Sequence, residues 1–164
     1  FRGDGFSLSV DTPVQHGDLR VVEVHDAQTL AHAMEAMEKA FESSLAHLDP
    51  ARELAQCTGP TRRTARFVAY TENGEVAGSG NINLYPALGF GFLWAGCTVA
   101  AHRGRGAYRA LLAARQRWAA AHGLTHVGLY AKRTTSGPIV RALGFTAHGP
   151  MSYLDCRAPR LREP

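Results

Sequence analysis

A change of hydrophobic rhythm near residue 100 constrains this chain more than any other feature. Before it, apolar residues fall in runs of strand length: 65–71, 75–84 with Ile82 and Leu84 alternating, and 90–99. The turn signals Asn73-Gly74 and 85–89 separate them. After it, Ala107, Leu111, Ala114, Trp118 and Ala121 recur every three or four positions. That spacing draws one face of a helix over 105–122, and Gly123 supplies its stop. Residues 124–131 read as strand again. A strand, a glycine-bearing loop, a long helix and a strand make a βαβ unit appended to an antiparallel meander.

The rest of the chain completes an α+β reading with a mixed, mostly antiparallel central sheet and flanking helices. Residues 1–17 carry Gly3, Gly5, Pro13 and Gly17 with little periodicity and read as an irregular lead-in. Val21, Val22 and Val24 mark a short strand. Asp26 is an N-cap for a helix running to Phe41, and a second short helix spans 50–56. Residues 136–143 read as a short helix and 145–154 as a final strand. One domain over 18–156 and a tail over 157–164 follow, because 164 residues suffice for one full core and not for two.

Composition narrows the function classes. With 45% hydrophobic and 20% charged residues the chain has the balance of a globular protein, and it carries no membrane-length apolar run and no signal-like start. Cys57, Cys97 and Cys156 are far apart with no C-x-x-C pair, a pattern of reduced thiols and a cytoplasmic setting. His122 and His126 have a metal-pair spacing, but Gly123 between them ends the helix, so no metal is expected. The net charge of +4 is carried largely by arginine, whose planar fork suits phosphate. Nucleic acid is the poorer partner: Arg103, Arg105, Arg109, Arg115 and Arg117 are not interleaved with aromatics and lie on a helix with a face to bury.

The chemistry concentrates in the loop Arg103-Gly104-Arg105-Gly106-Ala107-Tyr108, which joins a strand to the start of the long helix. First-turn N–H groups lack intrahelical partners, and the helix dipole adds positive charge there. Gly104 and Gly106 let a ligand approach the backbone, and Arg103 and Arg105 bring two full charges. The Gly-Lys-Ser/Thr ending of a P-loop is absent. The dinucleotide fingerprint fails as well, because position 109 is Arg. A phosphate or pyrophosphate site and a tight turn with solvated charges both satisfy this loop taken alone.

These residues resemble the GNAT superfamily of acyl-CoA-dependent N-acetyltransferases. That family carries Gln/Arg-x-x-Gly-x-Gly/Ala after its fourth strand, and residues 103–107 match its first five positions. Val99 resembles the family's strand end, Gly144-Phe145 its Gly-Phe, and Ser136 the small residue of its Asn-x-x-Ser/Ala turn. The resemblance spans about 19–154, strongest over 94–145.

The resemblance implies a GNAT fold whose βαβ unit holds acetyl-CoA as co-substrate, with no metal. Its pyrophosphate would rest on the N–H groups of Gly104, Arg105, Gly106, Ala107 and Tyr108, beside Arg103. The pantetheine arm would pair with the strand at Cys97, Thr98 and Val99, near Arg133 and Ser136, and an N–H near Val99 would face the thioester carbonyl. The acceptor would be a small-molecule or peptide amine.

Two departures matter. Tyr108 replaces Gly or Ala, either crowding the loop or adding a contact. Val140 stands where many members have the tyrosine that protonates the leaving thiolate, and Arg133 replaces the turn's Asn. Ser136 and Tyr130 are the remaining candidates for the leaving thiolate, although Ser136 equally reads as a helix cap. Cys97 reads as buried packing, Trp118 as core, and Trp94 as core or pocket wall. No base is assigned: the strand at 90–99 has no acid, and Glu38, Glu42 and Glu75 read as solvated charges. A non-catalytic acyl-CoA-binding module of a larger protein is the alternative, with a homodimer or companion domain as the further partner.

Overall fold

A computed structural model describes residues 2–17, 19–60 and 62–152; Leu154, Cys156 and 157–164 lie outside the described residues. The chain runs β1 (Arg2–Ser9), β2 (Arg20–Glu23), α1 (Ala27–Phe41), α2 (Pro50–Thr58), β3 (Thr64–Tyr70), β4 (Val76–Tyr85), β5 (Phe90–Thr98), α3 (Ala107–Ala121), β6 (His126–Lys132), α4 (Ser136–Ala142) and β7 (Thr146–Ser152). One 7-stranded sheet has the order β2-β3-β4-β5-β6-β1-β7. Among the described strands only β5 and β6 pair in parallel, which is the βαβ unit read from the rhythm change. The α+β, mostly antiparallel reading holds.

Local signals place the helices. Asp26 caps α1 in a capping box: its Oδ1 accepts from the Thr29 N–H at 2.7 Å, and Thr29 Oγ1 accepts from the Asp26 N–H at 3.3 Å. Asp49 caps α2 with Pro50 in the first turn. Gly123, in the left-handed region with φ 74, follows the C-cap of α3.

The lead-in is corrected. Residues 2–9 form a strand inserted between β6 and β7, with Phe6 and Leu8 in the core. Phe6 and Leu8 are buried and alternate with the less buried Ser7 and Ser9, but Gly3, Asp4 and Gly5 break the alternation before them and leave a signal too short to read as a strand. Gly5 allows close approach: a Cβ there would stand 3.6 Å from Cε1 of Tyr130.

The sheet separates two cores. Phe6, Phe67, Ile82, Leu93 and Val127 form one core with Leu111 of α3. Against α1 and α2 lie Val24, Leu30, Ala33, Cys57, Val68 and Tyr70. Each fully buried leucine, such as Leu30 or Leu111, contributes about 1.5–3 kcal/mol. Among the described residues no helix is long and apolar enough to cross a membrane.

Candidate active site

Strand β5 frames the site, and its halves differ. Phe90–Phe92 pairs with His126–Gly128 of β6, and beyond Phe92 the two strands part. On its other edge β5 stays with β4 through a bulge: Ser79 opposes Cys97 and Asn81 opposes Trp94, so Ala95 and Gly96 face Gly80 alone. Ala95 sits there in the left-handed region at φ 48. The parted strands open a cleft of about 640 Å³, whose walls include Trp94, Cys97, Thr98, Arg103, Tyr108, Tyr130 and Ser136.

Backbone direction corrects one expectation. The Val99 N–H donates to Ala77 O at 2.9 Å, so it is spent inside the sheet. Because N–H groups alternate along a strand, Cys97 also turns toward β4, and Thr98 turns to the open edge. Of Cys97, Thr98 and Val99, Thr98 is the residue whose backbone faces the cleft. The Cys97 thiol lies 3.4 Å from Ser79 Oγ under α1, in agreement with a packing role.

The 103–108 loop is open as a phosphate cradle must be. Gly104 and Gly106 have φ 78 and 85, and no atom lies within 4 Å of where their Cβ would stand. Gly106 caps α3 without a side-chain hydrogen bond, which leaves first-turn N–H groups for a ligand. The two arginines do not converge. Arg103 lines the cleft, whereas Arg105 borders a separate hollow with Glu72 and Glu75. Tyr108 does not crowd the loop, because its ring packs over Gly96, where a Cβ would stand 3.0 Å from Cε2. Burial pushes its phenol pKa up.

Ser136 opens α4 and lines the cleft, but it is not the cap. Thr135 holds that position without a side-chain bond, while Ser136 Oγ accepts from the Lys132 N–H at 3.2 Å. That bond orients the hydroxyl and leaves its proton to donate. Tyr130 is 55% exposed at the cleft mouth, edge-on to Phe92 at 5.4 Å. Arg133 is drawn away from the cleft: its Nε and Nη2 donate to Asp4 Oδ1 at 3.0 and 2.7 Å, and Arg141 takes Oδ2 at 3.0 Å. Val140 is fully buried, so the family's tyrosine position belongs to the core here.

None of Glu38, Glu42 and Glu75 lines the cleft. Glu38 accepts from the Leu45 N–H at 2.6 Å, and Glu75 stands 3.9 Å from His102. Trp94 lines the cleft with its Nε1 donating to Asn83 Oδ1 at 2.8 Å, and Trp118 packs edge-on against Phe67 at 6.2 Å.

The sequence reading missed Arg115. It is 1% exposed, its Nε and Nη1 donate to Leu111 O and Asn81 O at 2.9 and 3.0 Å, and Nη2 has no partner. The guanidinium lies under the bulge, close enough that a Cβ at Gly80 would stand 2.8 Å from its Cζ. Burial lowers its pKa to about 10, so it remains charged at neutral pH. The available signal was its spacing of four from Leu111 and seven from Tyr108, which places it in the buried stripe.

The acetyltransferase (GNAT) family profile matches residues 29–145, more than half of the chain. No curated protein matches it. Three solved structures share its fold at low identity. A GCN5-related N-acetyltransferase from Kribbella flavida is 17% identical with a TM-score of 0.64, over 90% of this chain and 55% of that one. A conserved protein of unknown function from Staphylococcus epidermidis is 13% identical with a TM-score of 0.68, over 92% and 60%. An aminoglycoside acetyltransferase from an uncultured soil sample, in complex with sisomicin, is 14% identical with a TM-score of 0.71, over 85% and 96%. The chain thus spans between half and two thirds of the length of the Kribbella and Staphylococcus proteins. The chain belongs to the GNAT acetyltransferase family.

Proposed function

We propose that this domain transfers an acetyl group from acetyl-CoA to a primary amine by direct attack, with both substrates bound in the β5–β6 cleft. One observation carries the reading: the open edge of β5 at Thr98 leads, through the turn Ala100–His102 and the glycine loop, to an α3 N-terminus with no side-chain cap. Such an arrangement suits a long ligand with an amide-bearing arm and a phosphorylated end. The thioester supplies an activated acyl carbonyl. The residues around it have separate tasks. Gly104, Gly106 and the first-turn N–H groups hold phosphate with Arg103. Thr98 pairs with the amide arm as a neighbouring strand would. The Ser136 hydroxyl, turned by Lys132 N–H, is placed to donate a hydrogen bond to the leaving sulfur, with the Tyr130 phenol as the second donor at the mouth. Holding amine and acyl donor together removes much of the entropic cost of their encounter.

The test is calorimetric titration with acetyl-CoA of the wild type and of an Arg103→Ala/Gly106→Asp variant. The wild type is expected to bind with a Kd of about micromolar order, near −8 kcal/mol, and the variant to lose most of that. An unchanged variant, shown folded by its urea midpoint, moves the phosphate site elsewhere. No binding by the wild type ends the acyl-CoA reading. The alternative, a binding module without catalysis, draws on the absence of a carboxylate among the cleft-lining residues. Thiol release from acetyl-CoA with an amine present separates the two.

A further inference from the structure

The cleft carries a second pattern, in what its walls hold and what they omit. Among the described residues lining it there is no aspartate or glutamate, whereas Arg103, Arg115 and Lys132 all border it. Arg115 is sealed against the bulge with Nη2 unpartnered and only carbonyl oxygens to balance its charge. The cleft is rich in aromatics: Phe41 at the end of α1 and Tyr130 on β6 are half exposed, and Trp94 also belongs to the lining. Phe92 backs Tyr130 edge-on.

With phosphate already on Arg103, an ammonium ion entering the remaining space meets the buried charge of Arg115 and no wall carboxylate. Its protonated form is penalised, and a polycation is penalised several times over. No wall residue is a carboxylate able to take up its proton. A weakly basic amine is already neutral near pH 7 and meets neither obstacle. Flat aromatic walls favour a flat apolar body by offset or edge contacts.

Resting on the acyl-transfer reading above, we propose that the acceptor is an aromatic amine, attacking as the neutral base, and not an alkylammonium or aminoglycoside polycation. The nitrogen lone pair forms the C–N bond as the acyl C–S bond breaks. The electron pair leaves on sulfur, and one amine proton passes through water to give the free thiol.

The experiment compares para-toluidine, phenethylamine and sisomicin as acceptors by thiol release from acetyl-CoA across pH 7 to 9. Calorimetric binding of each amine to the CoA-saturated protein runs alongside. The expectation is a kcat/KM for para-toluidine about tenfold or more above the others and flat with pH. Phenethylamine activity should rise close to tenfold per pH unit as its neutral fraction grows. An Ala40→Glu variant, which adds a carboxylate to the lining, should narrow the gap between the two monoamines. Equal or better use of phenethylamine or sisomicin at pH 7 overturns the proposal and leaves acyl transfer standing. Bound acetyl-CoA with no acetylation of para-toluidine also overturns it. Failure to bind acetyl-CoA removes the acyl-transfer reading and this proposal together.

Discussion

Arg66 and Arg115 are buried against opposite faces of the same sheet, 3% and 1% exposed, and they are held in different ways. Arg66 on β3 lies under α2, where its Nη2 is ion-paired with Glu53 Oε2. Arg115 on α3 lies under the β5 bulge with two carbonyl oxygens and no carboxylate. Burying a charge costs several kcal/mol unless it is paired and hydrogen-bonded. At Arg66 the Glu53 carboxylate balances the charge locally, although Nε has no partner, and the guanidinium ties α2 to the sheet. At Arg115 the charge is left uncompensated beside the cleft. The contrast teaches that a buried cation with its own anion is an internal fastener, whereas one without an anion acts on whatever enters the neighbouring space.

That comparison breaks most visibly at Glu53. Glu53→Ala leaves Arg66 buried and unpaired, with an expected loss of about 3–5 kcal/mol in urea unfolding and unchanged acetyl-CoA affinity in the folded protein. A loss below about 1 kcal/mol means that water reaches Arg66 once Glu53 is gone, and the two sites are then less different than drawn.

Gly80→Ala pushes a methyl against the Arg115 guanidinium from 2.8 Å. The expected cost is about 1–3 kcal/mol, because the end of this side chain is enclosed by α3 and the bulge. Gly74 and Gly149 have nothing within 4 Å of a Cβ, and only Gly149 lacks a positive φ, so Gly149→Ala is the silent control.

Arg115→Met should change stability by only about 1 kcal/mol in either direction, since the lost carbonyl bonds are offset by removal of a desolvated charge. Its effect belongs in acceptor choice, as a gain of phenethylamine relative to para-toluidine. A loss of 3 kcal/mol or more with no change in selectivity would falsify the contrast with Arg66.

The smallest effect is expected at Asp4, where Arg133 and Arg141 are themselves about half exposed. The hydrogen bond from Arg133, then its charge and those of Arg141, hold the Asp4 carboxyl below its ordinary pKa, against a desolvation that raises it. A depressed folded pKa stabilises above the unfolded value near 3.8, and that contribution disappears as pH falls through the folded one. Asp4→Asn should therefore lower the urea midpoint slightly at neutral pH and flatten its decline in acid.

Legibility followed the range of the interactions. The N-cap at Asp26, the turn at Asn73-Gly74, the helix α3 and the 103–108 loop are written in residues a few positions apart, and each appears where the sequence places it, although the buried face of α3 runs through Leu111, Arg115 and Ala119 and leaves Ala121 exposed. Tyr108 was legible as a departure but not as a fit, because its ring depends on Gly96, which is distant in the chain and brought near by β5. Arg133 looked like a cofactor contact until Asp4, 129 residues away, drew it off. Val99 lost its assigned role to Ala77 O across the sheet.

The sequence by itself determined the order of elements from β2 onward, the βαβ unit and the glycine loop, since φ preferences, caps and a 3.6-residue period are local properties of the chain. Tertiary structure alone decided that the first strand enters the sheet between β6 and β7, that β5 parts from β6 beyond Phe92, and that Arg115 is sealed under the bulge. Those outcomes depend on which strand edges and helix faces meet. Pairing and burial between residues far apart in the chain leave no periodic trace in either segment alone.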